Sequence, residues 1–149
     1  MEEEEDISEL LRKGLVLTDN RKYDEAETLF KCIIATLEKC NASSNCSPYL
    51  CEAYNNLGLI QYKKVEFQKA ITSYDRSIQI DNSFAPAYYN QGTIYYRLGS
   101  YETALEKMTK AVSLQPSNIE FQKGFNATFK IIRDHPWVMP VQYRMEIQD

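Results

Sequence analysis

The sequence predicts an all-α protein, a stack of three helical hairpins closed by a seventh helix, and three observations carry that expectation. The chain repeats itself, because Ala53-Tyr54-Asn55-Asn56-Leu57-Gly58-Leu59-Ile60-Gln61-Tyr62 returns 34 residues later as Ala87-Tyr88-Tyr89-Asn90-Gln91-Gly92-Thr93-Ile94-Tyr95-Tyr96. Apolar residues recur at three- and four-residue steps, as in Leu105, Met108 and Val112, which is the signature of amphipathic helices. Short breaks such as Arg97-Leu98-Gly99-Ser100 divide each copy into two helices.

The first repeat occupies about residues 7–40 and carries Gly14, Tyr23, Ala26, Phe30 and Ile33 at the spacings of Gly58, Phe67, Ala70, Tyr74 and Ser77. Its offset is 44 residues, and the extra ten fall in residues 41–50, a Ser-, Asn- and Cys-rich stretch ending near Pro48 that reads as an inserted loop. The second repeat, 51–84, maps onto the third, 85–118, through Phe67 and Tyr101, Ala70 and Ala104, and Ile71 and Leu105. In the third, Gly99 can take the left-handed conformation that ends a helix. Small residues lie twelve apart in every copy, as Gly14/Ala26, Gly58/Ala70 and Gly92/Ala104, and are expected to face each other where the paired helices cross.

Pro116 stops the third repeat, and Ser117-Asn118-Ile119-Glu120 has the form of a capping box. A capping helix over about 118–134 follows, with Phe121, Phe125, Phe129 and Ile132 as its apolar stripe. A stack needs such a cover for its last hairpin. Pro136 disfavours helix at His135, so the helix is expected to end near Asp134. Residues 135–149 form an apolar tail with Pro136, Trp137, Val138, Met139, Pro140, Tyr143 and Met145, expected to be extended at its start because of the two prolines.

With 149 residues, 44% hydrophobic and 26% charged, the chain has the size and balance of one globular domain, expected over residues 1–134. No apolar run approaches the roughly 20 residues that span a bilayer. The start Met1-Glu2-Glu3-Glu4-Glu5-Asp6 is acidic and lacks the plan of a secretory or mitochondrial leader, which leads to a cytoplasmic expectation. A net charge of −4 offers no general attraction to phosphate backbones, so nucleic acid is not an expected partner.

Catalytic chemistry finds no residues to carry it. His135 is the one histidine, so neither a Ser-His-Asp nor a Cys-His arrangement can be assembled. Cys32, Cys40, Cys46 and Cys51 include no Cys-x-x-Cys pair, and their irregular spacing does not make a zinc site. Phosphate-binding glycine loops are absent from the sequence. No catalytic residue, cofactor or metal is expected.

The 34-residue period with its Gly, aromatic and Ala skeleton resembles the tetratricopeptide repeat over roughly residues 7–116. That resemblance implies a right-handed solenoid in which the first helix of each repeat lines a concave, non-enzymatic peptide- or protein-binding groove. Carried over residue by residue, the groove would hold Arg12 from the first repeat, Asn55, Asn56, Tyr62 and Lys63 from the second, and Tyr89, Asn90, Thr93, Tyr96 and Arg97 from the third. Lys123 and Lys130 would join them from the capping helix. The asparagines can hydrogen-bond an extended backbone, the tyrosines give flat area with a polar handle, and the cations favour an acidic or C-terminal peptide. Family members that grip heat-shock chaperone tails use a clamp of Lys, Asn, Asn, Lys and Arg. Those positions here hold Leu11, Leu15, Asn56, Pro86 and Asn90, so such tails are not expected partners. The alternative is that residues 137–145 occupy the groove of a neighbouring chain as a scaffold, or of their own chain as an inhibitor.

Overall fold

The computed structural model describes residues 6–39 and 47–138, all of whose regular structure is helical. Seven α-helices follow in order: α1 (Ile7–Asp19), α2 (Tyr23–Lys39), α3 (Ser47–Lys63), α4 (Phe67–Ile80), α5 (Ala85–Arg97), α6 (Tyr101–Leu114) and α7 (Ile119–Asp134), and a short 3-10 turn covers Pro136–Val138. They fall into two compact units, Met1–Phe84 and Ala85–Asp149. Each is described by itself.

In the first unit, Asp6 starts α1 by accepting a hydrogen bond from the Ser8 backbone amide at 3.1 Å. A carboxylate there also offsets the positive helix end. The turn to α2 has Arg21 at φ 61°, with the Arg21 amide donating to Thr18 O and the Lys22 amide to Leu17 O. This double bond is the Schellman ending, which needs one left-handed residue. The same pair recurs at Val65 (φ 62°), where Val65 and Glu66 donate to Tyr62 O and Gln61 O. Only one of the three such turns, at Gly99 (φ 79°), has the residue that takes this conformation without strain.

Each repeat's glycine lies against a large side chain sixteen residues on. A Cβ at Gly14 would come within 2.5 Å of the Phe30 ring, at Gly58 within 2.6 Å of Tyr74, and at Gly92 within 2.8 Å of Met108. These are the nearest neighbours of the glycines, beside the expected alanine twelve on, whose carbonyl at Ala104 lies 3.3 Å from the same point at Gly92. The ring or thioether reaches across to the glycine from one turn further along the second helix. Ala26, Ala70 and Ala104 are nevertheless fully buried, as close helix crossing requires.

One apolar cluster joins Leu11, Phe30, Ile33, Ile34 and Leu37 of the first hairpin to Leu57 and Ile60 of α3. Lys64, in the α3 to α4 turn, reaches back to α2 and pairs with Asp24 and Glu27, each at 2.9 Å. The α3 and α4 helices are further tied by Ser73 donating to Gln61 at 2.6 Å and Ser77 to the Cys51 carbonyl at 2.8 Å. The α3 helix starts at Ser47, so residues 47–50 of the expected loop are helical, while 40–46 lie outside the described residues.

In the second unit, α7 covers the α5–α6 hairpin. Tyr89 stacks on Phe121 with ring centroids 4.8 Å apart, and Gly124 leaves the space that the Tyr89 ring fills. The Thr128 hydroxyl lies 2.9 Å from the Gly124 carbonyl and 3.2 Å from Met108 Sδ. The buried stripe of α7 is therefore Phe121, Thr128 and Ile132, with Phe125 and Phe129 half-buried and stacked on each other at 6.1 Å. The cap is Asn118, which accepts from the Phe121 amide at 3.1 Å, one residue after the Ser117 expected from the sequence. Helix α7 ends at Asp134 as expected, but Pro136 begins a 3-10 turn where an extended start was expected, since proline suits the first position of such a turn. Residues 139–149 of the tail lie outside the described residues.

Candidate peptide-binding surface

The candidate residues sit on the first helices of the hairpins, except Lys123 and Lys130 on α7, and differ in burial. In the first unit α3 carries Asn55 and Asn56, both more than nine-tenths buried. Asn56 Nδ2 is buried and has no hydrogen-bond acceptor among the described residues. Such an amide loses its water partners on burial, at a cost of about 1–3 kcal/mol unless something accepts from it. Tyr62 packs its ring against Phe67, 5.7 Å away at the start of α4, and Lys63 beside it is exposed.

The third repeat, in the second unit, reproduces part of this arrangement. Tyr96 meets Tyr101 edge to face at 5.5 Å, repeating the Tyr62 and Phe67 contact across the hairpin turn. Tyr89 is held between α5 and α7, so its ring serves packing, as tyrosines at helical spacing commonly do. Asn90 is half-buried, and the Thr93 hydroxyl donates to the Tyr89 carbonyl at 3.1 Å. Arg97, Lys123 and Lys130 are exposed.

Arg12 holds on α1 the place that Asn56 holds on α3. It is exposed, pairs with Glu9 one turn earlier, and lines an open cleft of about 290 Å³ with Lys13, Val16, Leu17 and Leu29. The sequence offers no distinct signal for that cleft, because Val16 and Leu17 are apolar residues of the kind any amphipathic helix carries.

Electrostatics in the described residues is structural. Lys31 and Lys64 hold the Glu27 carboxyl below the usual range, and Asp24 and Glu27 hold the Lys64 ammonium above its own. Burial pushes the Tyr74 hydroxyl and the Cys51 thiol up, which makes both poor acids. A raised thiol is a weak nucleophile. Tyr54, whose hydroxyl donates to Glu38, also lies 5.4 Å beneath the Arg76 guanidinium. No group of three His, Cys, Asp or Glu residues that could hold a metal ion occurs among the described residues. No described helix is long and apolar enough to cross a membrane.

Hairpins of two helices, each closed by the same Schellman turn and each admitting a large side chain against a glycine sixteen residues back, define a helical-repeat protein. The fold is that of a tetratricopeptide-repeat solenoid, and residues 85–118 match the family model described as tetratricopeptide repeat while residues 66–99 match that described as TPR repeat. Two curated relatives are the Drosophila melanogaster BBSome complex member BBS4 homolog, 32% identical over 111 residues, and the rat mitochondrial import receptor subunit TOM70, 32% identical over 106 residues. The matched segments are 74% and 70% of this chain but only 21% and 16% of those proteins. The solved structure of the first TPR of Spaghetti (RPAP3) bound to the HSP90 peptide SRMEEVD superposes with a TM-score of 0.69 at 19% identity, covering 85% of this chain and 92% of that one. At that identity the likeness concerns the fold.

Proposed function

We propose that the protein is a non-enzymatic interaction module that holds an extended segment of another protein against the first helices of its repeats. The observation that carries this reading is the buried Asn56 amide, whose Nδ2 hydrogens have no acceptor in the described chain. A peptide carbonyl laid along α3 would supply one. Tyr62 and Lys63 flank this position in the first unit, while Asn90, Thr93, Tyr96 and Arg97 present the corresponding chemistry in the second, with Lys123 and Lys130 on α7. The exposed cations favour an acidic segment. Residues 1–134 act as one domain on this reading, within the cytoplasm, and the protein is akin to small single-domain members of the family.

On this reading heat-shock chaperone tails are not the partners, since Leu11, Leu15 and Pro86 stand where the family's clamp has charged or amide side chains. The Spaghetti repeat with its HSP90 peptide shares the backbone of this chain, and the difference proposed is one of side chains.

Selection of peptides on the full-length chain from a random library tests the reading. Acidic sequences should emerge, and Asn56→Ala should weaken the best of them about tenfold, near 1.4 kcal/mol, with an unchanged melting temperature. Peptides indifferent to Asn56→Ala would remove the reading's foundation. A second reading is favoured by Trp137, 67% exposed at the start of the tail: a neighbouring chain binds this strip. Light scattering of the full chain against one ending at Asp134 decides it, because only tail-mediated assembly loses mass on truncation.

A further inference from the structure

The 44-residue offset between the first two repeats allows the same surface to be compared in two settings. In the first unit the open cleft is lined by Arg12, Lys13, Val16, Leu17 and Leu29. Their equivalents in the second repeat are Asn56, Leu57, Ile60, Gln61 and Ser73, and every one is more than nine-tenths buried. What lies over that hairpin is α2, whose Ile33, Ile34 and Leu37 share a core with Leu57 and Ile60. The acids of α2 complete the contact: Asp24 and Glu27 meet Lys64, and Glu38 meets Arg76. A surface that is core in one copy of the repeat is open in the other, with Val16 44% exposed.

We propose that this α1–α2 cleft is a docking site for an amphipathic helix of another protein, one with an apolar stripe spaced like Ile33, Ile34 and Leu37 and flanked by acidic residues. The shape follows from the equivalence, since a helix is what occupies this place one repeat later. The charge follows from the lining, whose ionisable members are both cations, Lys13 and Arg12, the latter also paired with Glu9 on the same helix. A helix with acids beside its stripe meets them as α2 meets Lys64 and Arg76, and opposite potentials fix the register of such contacts. The capping helix of a second copy is a poorer occupant. Residues Ile119–Asp134 carry Lys123, Lys130 and Arg133 against Glu120 and Asp134, all exposed, and would set like charges facing Arg12 and Lys13.

The probe is a labelled synthetic peptide of residues 23–39 with Cys32→Ser, which has four acids against two lysines and is the helix that covers the equivalent hairpin. Fluorescence anisotropy with the full-length chain should give saturable binding, weakened about tenfold or more by Val16→Asp, which puts a charge into the apolar floor. Circular dichroism should show that Val16→Asp melts as the parent does; if it does not, Lys13→Glu, at an exposed position, carries the decision and should weaken binding likewise. Absence of saturable binding would overturn the proposal. Binding indifferent to both variants would mean that the peptide exchanges with the chain's own α2, and overturns it too. A peptide of residues 119–134 should bind more weakly than the probe, and equal or tighter binding would replace the acidic helix by head-to-tail stacking of copies.

Discussion

Val65 offers the sharpest test of the fold, because its backbone and its side chain disagree. A left-handed conformation costs an L-residue about 1–2 kcal/mol, and a β-branched side chain sits at the unfavourable end. Val65 has φ 62° and is 68% exposed, so little packing is lost if the side chain is removed. Val65→Gly relieves the strain but adds unfolded-state freedom worth about 0.5–1 kcal/mol. The balance is a net stabilisation of about 0.5–1 kcal/mol, and the chain contains its own control in Gly99, which occupies the same place at φ 79°. Thermal unfolding followed by circular dichroism should show Val65→Gly raising the melting temperature by roughly 1–4 °C for a chain of this length. Gly99→Val should lower it by a similar or larger amount. A melting temperature that fell in the first variant, or held steady in the second, would refute the claim that one Schellman turn with one left-handed residue closes every hairpin.

Three further outcomes follow from the packing and charge. Gly58→Ala sets a Cβ 2.6 Å from the Tyr74 ring, which is nearly fully buried and cannot swing out, so urea unfolding should show a loss of about 1–3 kcal/mol. Ala104→Leu, at a fully buried crossing, should cost a similar amount by the same measurement. Glu27 has its folded carboxyl held below an ordinary value near 4.5, so the unfolded chain binds its proton first as pH falls. Its stabilisation is therefore complete at neutral pH and disappears as pH drops below about 4.5 through the folded value. Glu27→Gln should flatten the acid limb of a stability-against-pH profile, and an unchanged limb would mean that Lys31 and Lys64 do not hold it.

The repeat frame was legible because its information is spread over whole helices: Gly58, Phe67 and Ala70 return as Gly92, Tyr101 and Ala104, and no alternative fold explains that return. Contacts between paired helices were less legible. The twelve-residue Gly to Ala spacing is regular, but so is the sixteen-residue spacing from Gly14 to Phe30, Gly58 to Tyr74 and Gly92 to Met108. Periodicity identifies which residues share a face without saying which of them fills a given hole. Bulk decides that, since a missing Cβ is best filled by the largest side chain within reach. The left-handed turns at Arg21 and Val65 were hidden for a related reason, as neither residue advertises a conformation imposed by the closing bonds around it. Capping at Asn118 and not Ser117 turned on one residue between two competent side chains, where the sequence pattern carries almost no discrimination.

Exposure in a repeat protein is informative only against its own copies. Val16 alone would be one more apolar side chain at a surface, of the kind that calls for no explanation. Set beside Ile60, which holds the same place and is fully buried, it marks a face whose natural neighbour is a helix, and the same comparison turns Asn56 from a buried polar oddity into the counterpart of the exposed, ion-paired Arg12. Arg12 is exposed and has Glu9 as a partner, whereas Asn56 is buried with a donor still to be matched. Substituting Asn56 by leucine, close in volume, should therefore cost little stability while removing any hydrogen bond to a bound carbonyl. A structural role for Asn56 would require the opposite result, lost stability with binding intact.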